Sequence, residues 1–184
     1  MARDYAPYKE RAELKQSSTL SSNQKHIITF DIKITEGFEG FWETFFQIHN
    51  YNNFNTKLQP SIMLGWSKDI IDITLGQNEG DGKLFLFLPN RNGYDSIKFY
   101  NYLSIAEFKN KWHKIKVEMS KIQGTQGTIN LSIDGEEIAN NINIYFPLEG
   151  TPHIKYGIYR PGNTTVPNKK SVIYFNDIHI KSTN

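Results

Sequence analysis

The residues with the greatest chemical potential lie in one stretch, His153-Ile154-Lys155-Tyr156-Gly157-Ile158-Tyr159-Arg160. Side chains alternate between the faces of a strand, so His153, Lys155 and Tyr159 would share one face, with Gly157 leaving a gap. An imidazole, an ammonium and a phenol in a row suit an extended polar ligand, and a glycine in a strand often marks close approach by a ligand or another backbone. Taken alone, the row is better explained as a solvated outer face, and the rest of the chain must decide.

Two other predicted strands also pair an apolar face with a face of proton-transferring or ligand-binding groups. These groups are Arg11, Glu13 and Lys15 in the first segment, and Gln47 and His49 in the second. Residues two apart on a strand point the same way, so each set can line one groove. The first set alone is better explained as a solvated charged face. The second fits that explanation less well, because solvated strands rarely carry a phenylalanine such as Phe45 beside such groups.

Composition limits the classes of function. The chain has 184 residues and a formal net charge of +2, which is too small to indicate a nucleic-acid partner. It has no cysteine, which excludes thiol catalysis and disulfides, and no apolar run long enough to span a membrane. Polar sequence follows Met1 directly, so no signal peptide is predicted in this chain.

Short alternating segments predict an all-β protein. Strands are predicted over 26–35, 42–50, 112–120 and 171–181, with a hairpin turn at Asp134-Gly135, a bulge at Asn176-Asp177 and one helical turn at 104–108. Ten to twelve such strands favour a two-sheet antiparallel jelly-roll sandwich, concanavalin A-like, as a single domain over 1–184 with an N-terminal arm at 1–9. The concave face of such a sheet is a natural groove for an extended polymer.

Three motifs together resemble the boxes of the alginate lyases. Arg11-Ala12-Glu13-Leu14-Lys15 resembles their R-S-E-L-R box, Gln47-Ile48-His49 their Q-I-H box, and Lys155-Tyr156-Gly157-Ile158-Tyr159 is similar to their K-A-G-x-Y box. Their order and wide spacing agree, and the segment 173–178 looks like the closing strand of the same group. Over residues 11 to 180, the chain therefore resembles the jelly-roll polysaccharide lyases, which include alginate, glucuronan and viral glucuronate-cleaving enzymes.

Three departures from the alginate lyase boxes leave the substrate open. Lys15 stands where those enzymes have a second arginine, Tyr156 replaces a small residue, and Arg160-Pro161 replaces their usual Asn-Gln. The Lys-Tyr-Gly-Ile-Tyr-Arg form looks closer to the glucuronan-type and heparin-lyase-like branches. The resemblance thus implies a class of reaction but does not identify the substrate.

That reaction is β-elimination on a uronic-acid polysaccharide. It requires neutralisation of the uronate carboxylate, for which the resemblance implies Gln47 and Arg11 as donors. Tyr159 is expected to protonate the leaving O4 and is an alternative base, while His49 is expected to take the C5 proton or to help neutralise the carboxylate. Glu13 is expected to orient Arg11 rather than to react.

The remaining expectations concern ligands and surroundings. Substrate contacts are predicted for Lys155, Glu13, Lys15, Tyr156 and His153. No metal or cofactor is required by this scheme, and the expected partner is an acidic polysaccharide, with no nucleic acid or membrane. The protein is expected to act as a monomer in an extracellular or secreted setting.

Two alternatives use the same scaffold. A non-catalytic carbohydrate-binding module would retain affinity and form no product, but such a module needs no proton-transfer set. A glycoside hydrolase would need two carboxylates facing each other across the groove, a role that Glu13 and Glu43 could fill. No acidic strand motif of the E-x-D-x-E kind supports the hydrolase, so it ranks last.

Overall fold

A computed structural model describes residues 10–35, 43–51, 60–67, 83–88, 96–100, 104–146, 151–160 and 171–184. These residues form eleven strands and one short helix. The elements are β1 (Glu10–Lys15), β2 (Lys25–Ile34), β3 (Glu43–Tyr51), β4 (Ile62–Ser67), β5 (Lys83–Leu88), β6 (Ser96–Tyr100), α1 (Ile105–Phe108), β7 (His113–Met119), β8 (Gln126–Ile133), β9 (Glu136–Tyr145), β10 (Thr151–Arg160) and β11 (Ile173–Thr183).

The strands form two antiparallel sheets, which confirms the predicted jelly-roll sandwich. One sheet has the order β1-β10-β3-β4-β5-β6 and the other β11-β2-β7-β8-β9. Late strand β10 lies between two early strands, β1 and β3. This crossing brings together the three segments that the sequence singled out.

The core lies between the two sheets and follows from strict alternation in the central strands. Along β2, Ile28, Phe30, Ile32 and Ile34 are buried while the intervening residues are at least partly exposed. Phe30 stacks on Phe46 of the facing sheet with ring centroids 5.2 Å apart. Burial of each such side chain stabilises the fold by about 1.5–3 kcal/mol, which fixes which face of β3 points inward.

Two local predictions are confirmed by backbone angles. Asp134 and Gly135 form a two-residue loop between β8 and β9 with φ of 53° and 87°, as expected for a hairpin turn with positive φ at both positions. The pairing of β11 with β2 shifts between Asn176 and His179, and Asp177 has a φ of 48°. The predicted bulge is therefore present.

Strand β9 extends farther than predicted. The sequence predicts a connection with some apolar anchors over 140–150, and asparagine is depleted in strands. Pairing with β8 overrides that preference: Asn143 lies opposite Thr128, and Asn141 adopts a φ of 50° where the register shifts. Asn130 Oδ1 accepts the backbone N–H of Asn141 at 2.7 Å, which stabilises the irregularity.

The predicted helical turn is α1, which has a capping box. Ser104 Oγ accepts the backbone N–H of Glu107 at 3.2 Å, and the Glu107 carboxylate accepts the backbone N–H of Ser104 at 2.9 Å. No helix in the described part of the chain is long and apolar enough to cross a membrane. The sequence also predicts an arm at 1–9, a strand at 70–75 and a loop at 161–170, and these three segments lie outside the described residues.

Candidate active site

The three motif segments occupy adjacent strands of the six-stranded sheet. In the pairing of β1 with β10, Arg11 lies opposite Tyr159, Glu13 opposite Gly157, and Lys15 opposite Lys155. In the pairing of β10 with β3, Lys155 lies opposite Gln47 and His153 opposite His49. Residues more than a hundred positions apart in the sequence thus share consecutive rows of one sheet.

A bulge in β3 changes which of its side chains lie on the same face of the sheet as Gln47 and Lys155. The pairing of β3 with β4 shifts between Thr44 and Phe46, and Phe45 and Phe46 both belong to the core. Phe45 packs on Trp66 with ring centroids 5.4 Å apart, so it does not lie beside Gln47 as alternation predicted. Thr44 moves instead to the outer face, opposite Tyr159.

Thr44 is the site residue that sequence reasoning missed. It is 1% exposed, and its Oγ1 has no hydrogen-bond partner among the described residues. An alternating pattern cannot reveal a one-residue bulge, so the sequence placed Thr44 on the core face. The consecutive pair Phe45-Phe46 was the one available signal, since two successive core residues require such an irregularity.

Gly157 is explained by the close approach of a neighbouring strand. Its φ is +142°, which L side chains rarely adopt, and an added Cβ would overlap the carbonyl oxygen of Ala12 and lie 2.7 Å from Glu13 Cα. Of the two explanations for a strand glycine, the backbone approach therefore applies here. The missing side chain also leaves space above β10.

Glu13 and Gln47 meet across that space. The Gln47 side-chain amide donates a hydrogen bond from Nε2 to Glu13 Oε1, although β10 separates their strands. The sequence predicts that Glu13 orients Arg11, and the hydrogen bond with Gln47 is a contact that the sequence did not predict. Lys15, on the same strand, is exposed.

Burial decides between a functional face and a solvated one. Gln47 is 4% exposed, His153 5% and Lys155 6%, whereas polar residues on an open sheet face are mostly exposed. A lysine and an amide at such low exposure lie in a covered recess. This observation rules out the solvated-face explanation for Gln47, His153 and Lys155.

Positive groups cluster at one end of the recess. The pKa of His153 lies below its usual value because the ring is buried and because the charges of Lys15 and Lys155 lie nearby. His153 is therefore neutral near pH 7. Its ring lies opposite His49 on the neighbouring strand, and directly opposed residues on adjacent strands have Cβ atoms about 4.5–5.5 Å apart.

One hydrogen bond fixes the tautomer of His49. Its Nδ1 lies 2.9 Å from the backbone carbonyl oxygen of Asn50. A carbonyl oxygen only accepts, so Nδ1 carries the hydrogen and the lone pair of the neutral ring is on Nε2. The ring can therefore accept a proton at Nε2 while its orientation stays fixed.

Two residues for which the sequence suggests possible roles in the site, Tyr156 and Glu43, lie on the core side of the sheet. Tyr156, for which a substrate contact is predicted, packs against Phe175 with ring centroids 5.4 Å apart, on the core-facing side of β10. Glu43 is fully buried and accepts a hydrogen bond from Ser171 Oγ at 2.9 Å. Because Glu43 faces the core, it cannot oppose Glu13 across the recess as a hydrolase requires.

The described residues contain no group of three or more histidine, cysteine, aspartate or glutamate side chains that could hold a metal ion. The described recess presents amide, carboxylate, ammonium, imidazole, hydroxyl and phenol groups. This set can neutralise an anion and transfer protons.

A family model described as "Polysaccharide lyase" matches residues 1–179. The chain belongs to the polysaccharide lyase family. The enzyme is thus a lyase. A search of curated proteins finds no match.

Solved structures of lyases share the fold of this polysaccharide lyase. The endo-β-1,4-glucuronan lyase from the fungus Trichoderma reesei has a TM-score of 0.68 at 11% identity, with coverage of 95% of this chain and 75% of that one. Alginate lyase PA1167 from Pseudomonas aeruginosa has a TM-score of 0.61 at 11% identity, covering 88% and 66%.

A third similar structure is a substrate complex. A family 7 alginate lyase, A1-II′, with one histidine changed to asparagine and one tyrosine to phenylalanine, has a TM-score of 0.66 at 14% identity. The match covers 98% of this chain and 73% of that one. At these identities the likeness establishes a common fold.

Proposed function

We propose that this polysaccharide lyase cleaves a uronic-acid-containing polysaccharide, such as alginate or glucuronan, by β-elimination. The observation that carries the proposal is the strand register that joins Arg11, Tyr159, Lys155 and Gln47 on three adjacent strands. Amide, ammonium and imidazole groups in a covered recess suit an anionic sugar with an acidic proton beside its carboxylate.

The first task is to neutralise the uronate carboxylate. Removal of the C5 proton places negative charge next to that carboxylate, so donors must stabilise charge where it develops. Gln47 supplies an N–H from β3 and Arg11, on β1, supplies a guanidinium. Lys155 and Lys15 add two positive charges on the paired strands β10 and β1, which favours an anionic polymer.

The second task is proton transfer. His49 takes the C5 proton through Nε2, for which the hydrogen bond from Nδ1 to the Asn50 carbonyl prepares the ring. Tyr159 donates its phenolic proton to the leaving O4, so that the glycosidic C4–O4 bond breaks as the C4–C5 double bond forms. A substrate complex of a family 7 alginate lyase altered at one histidine and one tyrosine supports these two residue types.

The fold favours an extended polymer and a single-chain site. We propose a monomeric enzyme, because the assigned residues lie on three adjacent strands of one sheet and need no residue from a second copy. Polymers of this kind are too large to enter cells freely, which supports action outside the cell. The net charge of +2 supports a polysaccharide rather than a nucleic acid as the anionic partner.

A screen of polymers tests the proposal. The protein is incubated with alginate, glucuronan, hyaluronan and heparin, and with neutral dextran as the control. β-Elimination produces an unsaturated uronate that absorbs in the ultraviolet, and mass analysis of the products confirms the absence of added water. Rising absorbance with an acidic polymer supports the proposal, while hydrolysis products, or no product from any uronate polymer, contradict it.

A further inference from the structure

We propose that Glu13 is a positioning residue that holds the Gln47 amide with its nitrogen, rather than its oxygen, available to the substrate carboxylate. This inference rests on the proposed function, because it explains how Gln47 is kept in the donor orientation that carboxylate neutralisation requires. From the sequence, Glu13 is expected to orient Arg11 and to contact the substrate. Its hydrogen bond with Gln47 adds a second positioning role.

The geometry depends on the gap above Gly157. Neighbouring strands are about 4.8 Å apart, so β1 and β3 are roughly 10 Å apart with β10 between them. Glu13 lies opposite Gly157, and Gln47 lies opposite Lys155, two positions along β10. Because position 157 has no side chain, the two side chains meet over the middle strand and form their hydrogen bond.

The chemistry of the pair fixes the polarity of the amide. An ionised carboxylate only accepts hydrogen bonds, so the Gln47 side chain must turn its NH₂ group towards Glu13. One N–H is used in that bond, and the second N–H stays on the same nitrogen, in a fixed direction. A glutamine without this partner can turn its amide by 180° and present an oxygen that repels the uronate.

A carboxylate so close to an anionic substrate would weaken binding if it acted alone. Lys15 lies two residues along β1 from Glu13, and Lys155 lies opposite Lys15 on β10. These two positive charges offset the negative charge of Glu13. The recess can therefore still attract an anionic substrate, although one carboxylate within it orients Gln47.

The kinetic test replaces Glu13 by glutamine, which conserves shape and removes the charge. Glu13→Gln should lower kcat by about 10- to 100-fold, the range for a lost hydrogen bond to a charged group. KM should be unchanged or lower, because a negative charge beside an anionic substrate is removed. Glu118→Gln, at an exposed ion pair with Lys116 on the other sheet, is the matched control and should retain wild-type kcat.

A double-mutant cycle separates positioning from direct action. In a Gln47→Ala background, Glu13→Gln should change kcat by less than about twofold, because Glu13 acts through an amide that is no longer present. If the fold-losses in kcat of the two single variants multiply in the double variant, the proposal is overturned. Wild-type kcat in Glu13→Gln alone would also overturn it.

A spectroscopic measurement keeps this inference separate from the proposed function. In ¹⁵N-edited NMR spectra, the Gln47 side-chain amide is assigned by its loss in Gln47→Ala. One of its two protons should lie downfield and exchange slowly in the wild type, and both features should disappear in Glu13→Gln. If they persist, Glu13 does not hold the amide, whatever activity the wild type shows.

A second inference rests on a separate observation, the buried hydroxyl of Thr44. We infer that Thr44 Oγ1 contacts a hydroxyl of the bound sugar beside Tyr159. The hydroxyl is buried without a hydrogen-bond partner among the described residues, it lies on the outer face because of the bulge at Phe45, and it is opposite Tyr159. Orphaned buried hydroxyls are unfavourable, so a ligand partner explains why this one is present.

Thr44→Val tests this contact because valine keeps the shape and removes the hydroxyl. The variant should melt at a temperature equal to or above that of the wild type, since an unpaired buried polar group is removed. It should also bind a uronate oligosaccharide about 5- to 10-fold more weakly by calorimetry. Thr29→Val, on the outer face of the other sheet, is the control. Wild-type affinity in Thr44→Val would overturn the inference.

Discussion

At the scale of single residues, His153 links protein stability to pH. Its pKa in the folded protein lies below the ordinary value of about 6.5, mainly because the ring is buried and secondly because the positive charges of Lys15 and Lys155 lie nearby. A depressed histidine pKa means that the unfolded chain binds the proton more tightly. The contribution of neutral His153 to the free energy of unfolding is therefore fully present above about pH 6.5, and it is lost as the pH falls through the folded-state pKa.

The variant His153→Gln removes this titrating group. We expect the free energy of unfolding in urea to fall less between pH 7.5 and pH 5 for His153→Gln than for the wild type. His179→Gln, at an exposed position of β11, is the control and should follow the wild type. An identical pH dependence in wild type and His153→Gln would show that His153 does not experience the buried, positive surroundings described.

At the scale of strands, Gly157 allows β1 to pair closely with β10. Gly157→Ala places a Cβ against the Ala12 carbonyl at a φ of +142°. The positive φ costs about 1–3 kcal/mol and the overlap about another 1–3 kcal/mol. We expect a lower melting temperature and weaker protection from hydrogen exchange in β1.

Gly124 provides a matched control for that prediction. Its φ is +62°, and nothing lies within 4 Å of an added Cβ. Gly124→Ala should therefore cost only about 1 kcal/mol from backbone strain. Equal destabilisation by the two variants would mean that close packing of β1 on Gly157 contributes nothing.

Strands and turns were predicted well where the signal is local. The Asp134-Gly135 turn, the bulge near Asp177 and the alternation of β2 follow from neighbouring residues. The bulge at Phe45 and the extension of β9 depend on pairing with other strands. The sequence could identify Glu13 and Gln47 but not their contact, because that contact requires β10 to lie between β1 and β3.

At the scale of the whole molecule, aromatic packing holds the two sheets together and so supports the recess from beneath. Phe46 is 1% exposed and stacks on Phe30, directly below the outer-face residues of β3. Phe46→Ala should reduce the free energy of unfolding by about 3–5 kcal/mol through lost burial and a cavity. Leu14→Ala, at a side chain 65% exposed, should change it by less than about 0.5 kcal/mol.

Denaturant unfolding followed by tryptophan fluorescence measures both variants. A small loss for Phe46→Ala would show that the sheets do not depend on this contact. A loss as large for Leu14→Ala would show that β1 packs against a surface absent from the described sandwich.

We propose that three distant segments form one proton-transfer site, in which Tyr159 protonates the leaving oxygen. The most direct measurement compares kcat for Tyr159→Phe and Tyr156→Phe on the uronate polymer that the wild type cleaves. Tyr159→Phe should lower kcat by about 10²- to 10⁴-fold with polymer binding retained, and Tyr156→Phe, whose ring packs against Phe175, should remain active. Full activity in Tyr159→Phe would show that the Tyr159 hydroxyl takes no part in the reaction.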